Sequence, residues 1–171
     1  MFNLKLFCMK EIVKYHSFRN ERGEISVNLK SLAEDEKFRS EVVKEIINKV
    51  KKSNHACVLF PSYKPHCSEN PLGKLINEVA LSLVVETLVT GDVRKIRDVH
   101  SPVNEVIIIK QSFKTGTGLK EQIEALRKMG MNVSVICLVA HSGAALDSFR
   151  YANGVSIEAL VCLDEIPYLE G

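Results

Sequence analysis

The sequence lacks a hydrophobic run long enough to cross a membrane, which takes about 20 consecutive apolar residues. It also lacks a strong charge of one sign, because 23 basic and 21 acidic side chains leave a net charge of +2. No basic field therefore favours nucleic acid as a partner. The apolar stretch at residues 1–9 is too short for a secretory signal and lacks its small-residue cleavage site. We expect a cytoplasmic location, with neither a membrane nor a nucleic acid as partner.

Cys-x-x-Cys pairs are also missing, although the chain has five cysteines. Cys57, Cys137 and Cys162 lie inside apolar runs that are typical of buried strands. Dispersed, core-facing thiols favour a reducing compartment over a disulfide framework. Cys67 differs because it follows His66 in a polar segment. One His-Cys dipeptide is far from a full set of metal ligands, so no metal site is predicted there.

Strand-like and helix-like patterns alternate along the chain, without internal repeats. Buried parallel strands are predicted at four continuous apolar runs, residues 56–60, 106–109, 133–139 and 159–163. Helices are predicted by apolar spacing over residues 37–52, after Pro71, from Leu119 to Gly130 and around residues 145–151. Residues 25–29 alternate apolar and polar side chains, as a half-buried strand does.

This order of elements predicts an α/β domain with a mostly parallel central sheet flanked by helices. In such sheets, ligands bind in the crevice beyond the carboxyl ends of the strands. The loops after residues 60, 109 and 139 are therefore the places to look for chemistry.

The segment 110–118 is predicted to be the loop that joins the central strand to the next helix. Glycines let backbone N–H groups turn inward, and threonine hydroxyls, a lysine and a helix N-terminus add to an anion site. The residues predicted to bind phosphate are Lys114, Thr115, Gly116, Thr117 and Gly118. A plain strand-to-helix turn with a threonine cap explains the same residues. The segment matches neither a Walker loop nor a Gly-x-Gly-x-x-Gly fingerprint.

The residues 107–117 resemble the phosphoribosyl-diphosphate motif of type I phosphoribosyltransferases. In that motif an apolar strand leads through two acidic residues to a Thr-Thr-Gly turn. The resemblance covers most of the chain and is closest to orotate phosphoribosyltransferase. Residues 23–32 resemble that family's early strand, residues 93–100 its mobile loop with an Arg-Lys pair and a histidine, and residues 143–166 its closing helix and strand.

The resemblance implies a single phosphoribosyltransferase-like domain over residues 1–171, with residues 1–36 as a hood-like segment and residues 37–171 as the core. It implies phosphoribosyl transfer between phosphoribosyl diphosphate and a nucleobase in pyrimidine biosynthesis, with Mg²⁺ as cofactor, by a homodimer. Beyond the phosphate loop it assigns diphosphate and mobile-loop contacts to Lys64, Arg94, Lys95, Arg97 and His100. It assigns base contacts to Lys30 and His141.

The sequence departs from the family pattern at the catalytic positions. Lys110 and Gln111 stand where the family has the acidic pair that holds the ribose hydroxyls and helps to organise Mg²⁺. Neither side chain can accept two hydroxyls as a carboxylate does. His141 stands where an arginine often engages the orotate carboxylate, and an imidazole cannot supply that two-pronged contact. In addition, a glycine-free segment at residues 61–70 replaces a compact glycine-rich turn, and the mobile loop is short.

Three functions stay open at this point. The chain is an enzyme that transfers a phosphoribosyl group, or a module that keeps the fold and binds a nucleotide monophosphate, a phosphorylated sugar or a smaller anion. In the second case Lys110 occupies part of the metal and diphosphate region, which favours an anion without Mg²⁺. The third function is a scaffold that acts through dimerisation.

Overall fold

The computed structural model describes residues 4–51, 56–61, 73–82, 86–99 and 102–166. The helices are α1 (Leu4–Tyr15), α2 (Leu29–Glu34), α3 (Glu36–Val50), α4 (Gly73–Ser82), α5 (Thr117–Lys128) and α6 (Gly143–Asn153). The strands are β1 (Ser17–Arg19), β2 (Ile25–Val27), β3 (Ala56–Pro61), β4 (Glu86–Thr90), β5 (Glu105–Phe113), β6 (Asn132–Ala140) and β7 (Ser156–Cys162). Short 3₁₀ turns span Val93–Asp98 and Leu163–Glu165. Among these helices none is long and apolar enough to cross a membrane.

Strands β3 to β7 form one parallel sheet in the order β4-β3-β5-β6-β7. The chain steps from β3 outward to β4 and then crosses back to β5 on the other side, so the strand order reverses between β3 and β5. A reversal of this kind is where parallel sheets open a ligand crevice. Pairing between the two strands ends at Leu59 opposite Ile108, although both strands continue beyond it. The predicted α/β fold with a parallel sheet is thus confirmed.

The sheet is covered on both faces because its strands are apolar on both sides. On β5, Ile107 and Ile109 pack into a cluster with helices α2, α3 and α4, whereas Val106 and Ile108 pack into a cluster with α5 and α6. All four side chains are buried. Continuous burial on both faces explains why this strand reads as an unbroken β-branched run.

Strand β5 is longer than the sequence pattern predicted. We expected it to end at Ile109, with a loop over residues 110–118, but it continues to Phe113. Its last residues pair with β6, Ser112 opposite Val139 and Phe113 opposite Ala140. Pairing with a buried neighbour overrides the low strand propensity of the polar residues here. Lys110 and Gln111 are therefore strand residues rather than loop residues.

The sequence pattern did not predict two other strands, β4 and β1. Strand β4 carries polar residues at Glu86 and Thr87, and it lies at the edge of the sheet beside β3. The short β1 pairs antiparallel with β2, from Ser17 opposite Val27 to Arg19 opposite Ile25. Only the β2 half of this hairpin had been predicted.

The β1–β2 hairpin is tied to the core at its base. The Asn28 N–H donates to the His16 carbonyl at 3.0 Å, and the His16 ring Nδ1 lies 2.8 Å from the Ser31 hydroxyl. Asp35 is the N-cap of helix α3, and its Oδ1 accepts from the Phe38 N–H at 2.9 Å. These contacts fix the direction in which the hairpin leaves the core.

Asp35→Ala is expected to lower the free energy of unfolding by about 1 kcal/mol, because α3 loses the acceptor at its N-cap. Asp35→Asn keeps an acceptor at the same place and should lose less. Urea unfolding followed by circular dichroism measures both variants. An equal loss in both would show that the charge of Asp35, rather than the cap, supplies the stability.

Candidate functional site

A pocket of about 340 Å³ lies where the β1–β2 hairpin meets the carboxyl ends of β5, β6 and β7. We call it the hairpin pocket, and its polar lining is Arg19, Glu24, Lys114, His141 and Asp164. Ile25, Leu163 and Ile166 supply apolar lining. The pocket thus joins an early hairpin to three loops that the parallel sheet brings to one edge.

Opposite charges face each other in the hairpin pocket. The Lys114 ammonium lies 3.5 Å from a Glu24 carboxylate oxygen, and both side chains are more than half exposed. Asp164 accepts a hydrogen bond at 2.9 Å from the N–H of Gly143, the first residue of α6. Arg19 donates to the Gly23 carbonyl at 2.8 Å across the hairpin turn. Two cations and two carboxylates therefore balance within one pocket.

His141 adds a neutral group to this pocket. Its backbone N–H donates to the Phe113 carbonyl at 2.9 Å, which continues the β5–β6 pairing by one step. Burial holds the pKa of the imidazole below its usual 6.5, the charge of Lys114 acts in the same direction, and Glu24 opposes both. At neutral pH the ring is uncharged and offers one donor and one acceptor.

The turn between β5 and α5 is the second part of the site. Gly116 has φ of 75° and is the N-cap of α5, without a side-chain cap bond. The first N–H groups of any helix lack partners within the helix, so this end of α5 presents free donors to an anion. The Thr115 and Thr117 hydroxyls lie 3.1 Å from each other. The alternative prediction of a threonine cap is wrong, because the cap residue is a glycine.

Gly116 is required at this turn by packing as well as by its dihedral angle. A Cβ there would lie 2.4 Å from the Phe149 ring and 2.9 Å from the Phe113 ring. The two rings meet edge to face with centroids 5.3 Å apart. The turn is therefore pressed onto an aromatic pair.

The aromatic pair depends on a change of side-chain alternation along β5. Strict alternation would place Phe113 on the same face as Ile109, but Phe113 packs on the opposite face with α6. The change occurs between Ile109 and Phe113, a stretch in which the pairing with β6 is interrupted at Gln111 and resumes in the same register at Ser112. The change turns the end of β5 toward α6 and directs the following turn across Phe149.

Four of the five residues predicted to bind phosphate line two separate depressions, whereas Gly118, in the first turn of α5, lines neither. Lys114 faces the hairpin pocket, whereas Thr115, Gly116 and Thr117 line a groove of about 500 Å³ between α5 and α6. Charged side chains of both signs border that groove, Lys120, Glu121 and Glu124. The described structure thus gives the turn access to solvent on both sides.

Lys110 and Gln111 lie half-buried near the end of β5, shortly before the turn that begins at Lys114. Lys110 is opposite Cys137 on β6. Burial raises the pKa of the Cys137 thiol to about 12, and the nearby Lys110 charge opposes that rise. The structure therefore places the Lys110 cation on β5, at a position where the sequence resemblance implies an acidic residue.

The basic residues of the predicted mobile loop lie elsewhere. Arg94, Lys95 and Arg97 are exposed on the 3₁₀ turn Val93–Asp98, and they line neither the hairpin pocket nor the α5–α6 groove. Arg94 forms a two-pronged pair with Asp92, at 2.8 and 3.0 Å. This pairing lowers the pKa of the Asp92 carboxyl.

The remaining predicted contacts divide in a similar way. Lys30 is exposed on α2 and lines neither depression. Lys64 and His100 lie outside the described residues. Of the two predicted base contacts, His141 is therefore the one that the structure places in the hairpin pocket.

Three charged residues of the hairpin pocket were missed by the sequence pattern, Arg19, Glu24 and Asp164. Asp164 follows the last parallel strand, so the rule of carboxyl-end loops would have found it if applied to β7. Arg19 and Glu24 carry no such signal, since they belong to a hairpin whose first strand is three residues long.

Lys110 and Gln111, at the positions where the sequence resemblance implies the acidic pair, do not fit Mg²⁺. This ion prefers carboxylate and water oxygens in an octahedral arrangement, whereas Lys110 supplies a cation and Gln111 a single amide oxygen. Across the described ranges, no three His, Cys, Asp or Glu side chains come together as a metal site.

Comparison with known proteins identifies the fold. No protein-family model matches the sequence, and no curated protein does. Among solved structures, orotate phosphoribosyltransferase from Aeropyrum pernix is 18% identical with a TM-score of 0.60, over 92% of this chain and 96% of its own. The Mycobacterium tuberculosis orotate phosphoribosyltransferase in complex with inorganic phosphate is 13% identical with a TM-score of 0.64, over 97% and 92%.

An adenine phosphoribosyltransferase from Giardia lamblia, complexed with 9-deazaadenine, is 13% identical with a TM-score of 0.65, over 94% of this chain and 98% of its own. At such identities the likeness defines the fold. The chain has the type I phosphoribosyltransferase fold, as its resemblance to the orotate enzymes implied.

Gly116→Ala is expected to lower the free energy of unfolding by about 1 to 3 kcal/mol, because alanine is strained at positive φ and its Cβ collides with Phe149. The matched control is Gly118→Ala, since a Cβ there meets nothing within 4 Å. Inside the first turn of α5 the control should be neutral or stabilising by up to about 1 kcal/mol. Urea unfolding distinguishes them, and equal stabilities would contradict the packing argument.

Proposed function

We propose that this chain binds the 5′-phosphate of a ribonucleotide or phosphorylated ribose at the turn from Lys114 to Thr117, and that it does so without Mg²⁺ and without phosphoribosyl transfer. The observation that carries the proposal is the combination of a cation on β5 with an uncapped helix N-terminus directly after it. An uncapped helix N-terminus with a left-handed glycine follows a strand that bears Lys110 in place of an acidic residue.

The turn suits a phosphate for three physical reasons. The backbone N–H groups at the start of α5 are donors without a side-chain acceptor, and the helix dipole favours negative charge there. The Thr115 and Thr117 hydroxyls are exposed and can each donate. The turn also follows the central strand of the sheet, beside the reversal of strand order between β3 and β5.

Catalysis of phosphoribosyl transfer is disfavoured by the same strand. The reaction develops positive charge on the ribose, which nearby carboxylates stabilise in the family pattern. The Lys110 cation would oppose that charge, and Gln111 cannot replace a carboxylate. Conversely, Lys110 can attract part of a phosphorylated ligand directly, which removes the need for a bridging cation.

Phosphoribosyl transfer between phosphoribosyl diphosphate and a nucleobase is the second candidate function, with Mg²⁺ as its cofactor. It is favoured by a fold likeness that spans more than nine tenths of the chain. One of these neighbours, the Mycobacterium tuberculosis orotate enzyme, was solved in complex with phosphoribosyl diphosphate. The role in pyrimidine biosynthesis, the homodimer, the cytoplasmic location and the division into a hood-like segment 1–36 and a core 37–171 stay predictions.

Calorimetric titration with ribose 5-phosphate is expected to show binding that is equal with and without Mg²⁺. Thr117→Val should weaken it about tenfold, since one hydrogen bond to a charged oxygen is lost. The exposed hydroxyl of Ser148 on α6 provides the control variant, Ser148→Ala, which should bind as the native chain does. Absence of binding by the native chain would refute the proposal, and Mg²⁺-dependent binding of phosphoribosyl diphosphate would favour the enzyme instead.

Lys110→Asp combined with Gln111→Asp is expected to create Mg²⁺-dependent binding of phosphoribosyl diphosphate, because it restores the acidic pair that the sequence resemblance implies and supplies the carboxylate oxygens that Mg²⁺ prefers. The native chain titrated in the same buffers is the reference. If the double variant is folded but binds no better in Mg²⁺, the acidic pair is not what separates this chain from metal-dependent binding.

A further inference from the structure

The hairpin pocket carries no net positive charge, although it lies beside the phosphate turn. Arg19 and Lys114 contribute two cations, Glu24 and Asp164 contribute two carboxylates, and His141 is neutral at neutral pH. The Lys114 ammonium, which would otherwise point an unbalanced charge into the pocket, lies 3.5 Å from Glu24.

This balance of charge determines what kind of heterocyclic ring of a ligand the pocket can accept. A carboxylated ring would bring a negative charge that must lose water on entry, and the cost is recovered only where a cation is available. Here the Lys114 ammonium already has the Glu24 carboxylate as a partner, and the Arg19 guanidinium already donates to the Gly23 carbonyl. A neutral ring meets no such cost, because it needs hydrogen bonds rather than an opposite charge.

We infer that Glu24, on the hairpin, is a specificity-determining residue that makes the pocket prefer an uncharged, N–H-bearing heterocycle over a carboxylated one. The inference rests on the proposed function, since the ring would be attached to a ribose whose phosphate occupies the neighbouring turn. It concerns the choice of ring in the hairpin pocket, which shares Lys114 with the proposed phosphate site.

The polar groups of the pocket match a heterocycle with an amide or amino edge. The carboxylates of Glu24 and Asp164 accept hydrogen bonds from a ring N–H or an amino group. Lys114 and Arg19 donate to ring carbonyl oxygens, and the His141 ring supplies one donor and one acceptor. Ile25, Leu163 and Ile166 offer apolar surface to the ring itself.

Uridine 5′-monophosphate and orotidine 5′-monophosphate form a matched pair of probes, because they differ by one carboxylate on the ring. With the native chain, calorimetry is expected to give a Kd about tenfold lower for uridine 5′-monophosphate. Ribose 5-phosphate, which has no ring, tests the phosphate site separately.

Glu24→Gln frees the Lys114 charge and should reduce the preference about fivefold, as expected for one partly exposed charge. Glu21→Gln is the matched control, because Glu21 is exposed on the same hairpin turn but does not line the pocket. The difference between the two variants should shrink at high salt, since exposed charges are screened. A merely structural role of Glu24 would not produce that salt dependence.

The outcomes separate the two proposals. If ribose 5-phosphate binds but the two nucleotides bind equally, or the preference is unchanged in Glu24→Gln, the specificity assignment is overturned and the phosphate site stands. If none of the three probes binds, both proposals fail. A preference for uridine 5′-monophosphate that falls in Glu24→Gln and persists in Glu21→Gln supports the assignment.

Discussion

Burial of β5 on both faces and along both edges is the constraint on which the remaining structure depends. The strand pairs with β3 on one side and β6 on the other, and its isoleucines alternate between two hydrophobic clusters. Because every neighbouring strand is parallel to it, the loops that follow the strands emerge at the same edge of the sheet. The site residues after β5, β6 and β7 therefore meet without any long-range motif in the sequence.

The end of β5 converts this sheet geometry into the shape of the site. The change of side-chain alternation between Ile109 and Phe113 places Phe113 beside Phe149, and the aromatic pair leaves room for glycine alone at position 116. The left-handed turn then starts α5 without a side-chain cap. Packing in the core and the availability of N–H donors at the surface are thus two results of one local arrangement.

Charge distinguishes this chain from the family whose fold it has. Lys110 is a cation on β5 at a position where the sequence resemblance implies an acidic residue. In the hairpin pocket, the Glu24 carboxylate lies 3.5 Å from the Lys114 ammonium that follows the strand. Both changes act against the binding of a metal-bound diphosphate and a carboxylated ring. Neither change removes the N–H donors at the start of α5, which is why we propose phosphate binding without transfer.

The sequence by itself determined the parallel α/β fold, the glycine-threonine turn before α5 and the position of His141 after β6, because buried runs such as residues 106–109 and glycine-threonine turns have local signatures. Arg19 and Glu24 could not be predicted as site residues, because their place over the sheet edge depends on how α1 and α2 hold the hairpin. The length of β5 and the packing of Gly116 also depended on partners distant in sequence. Tertiary structure alone decided these features, since pairing with β6 and contact with Phe149 form only when the chain is folded.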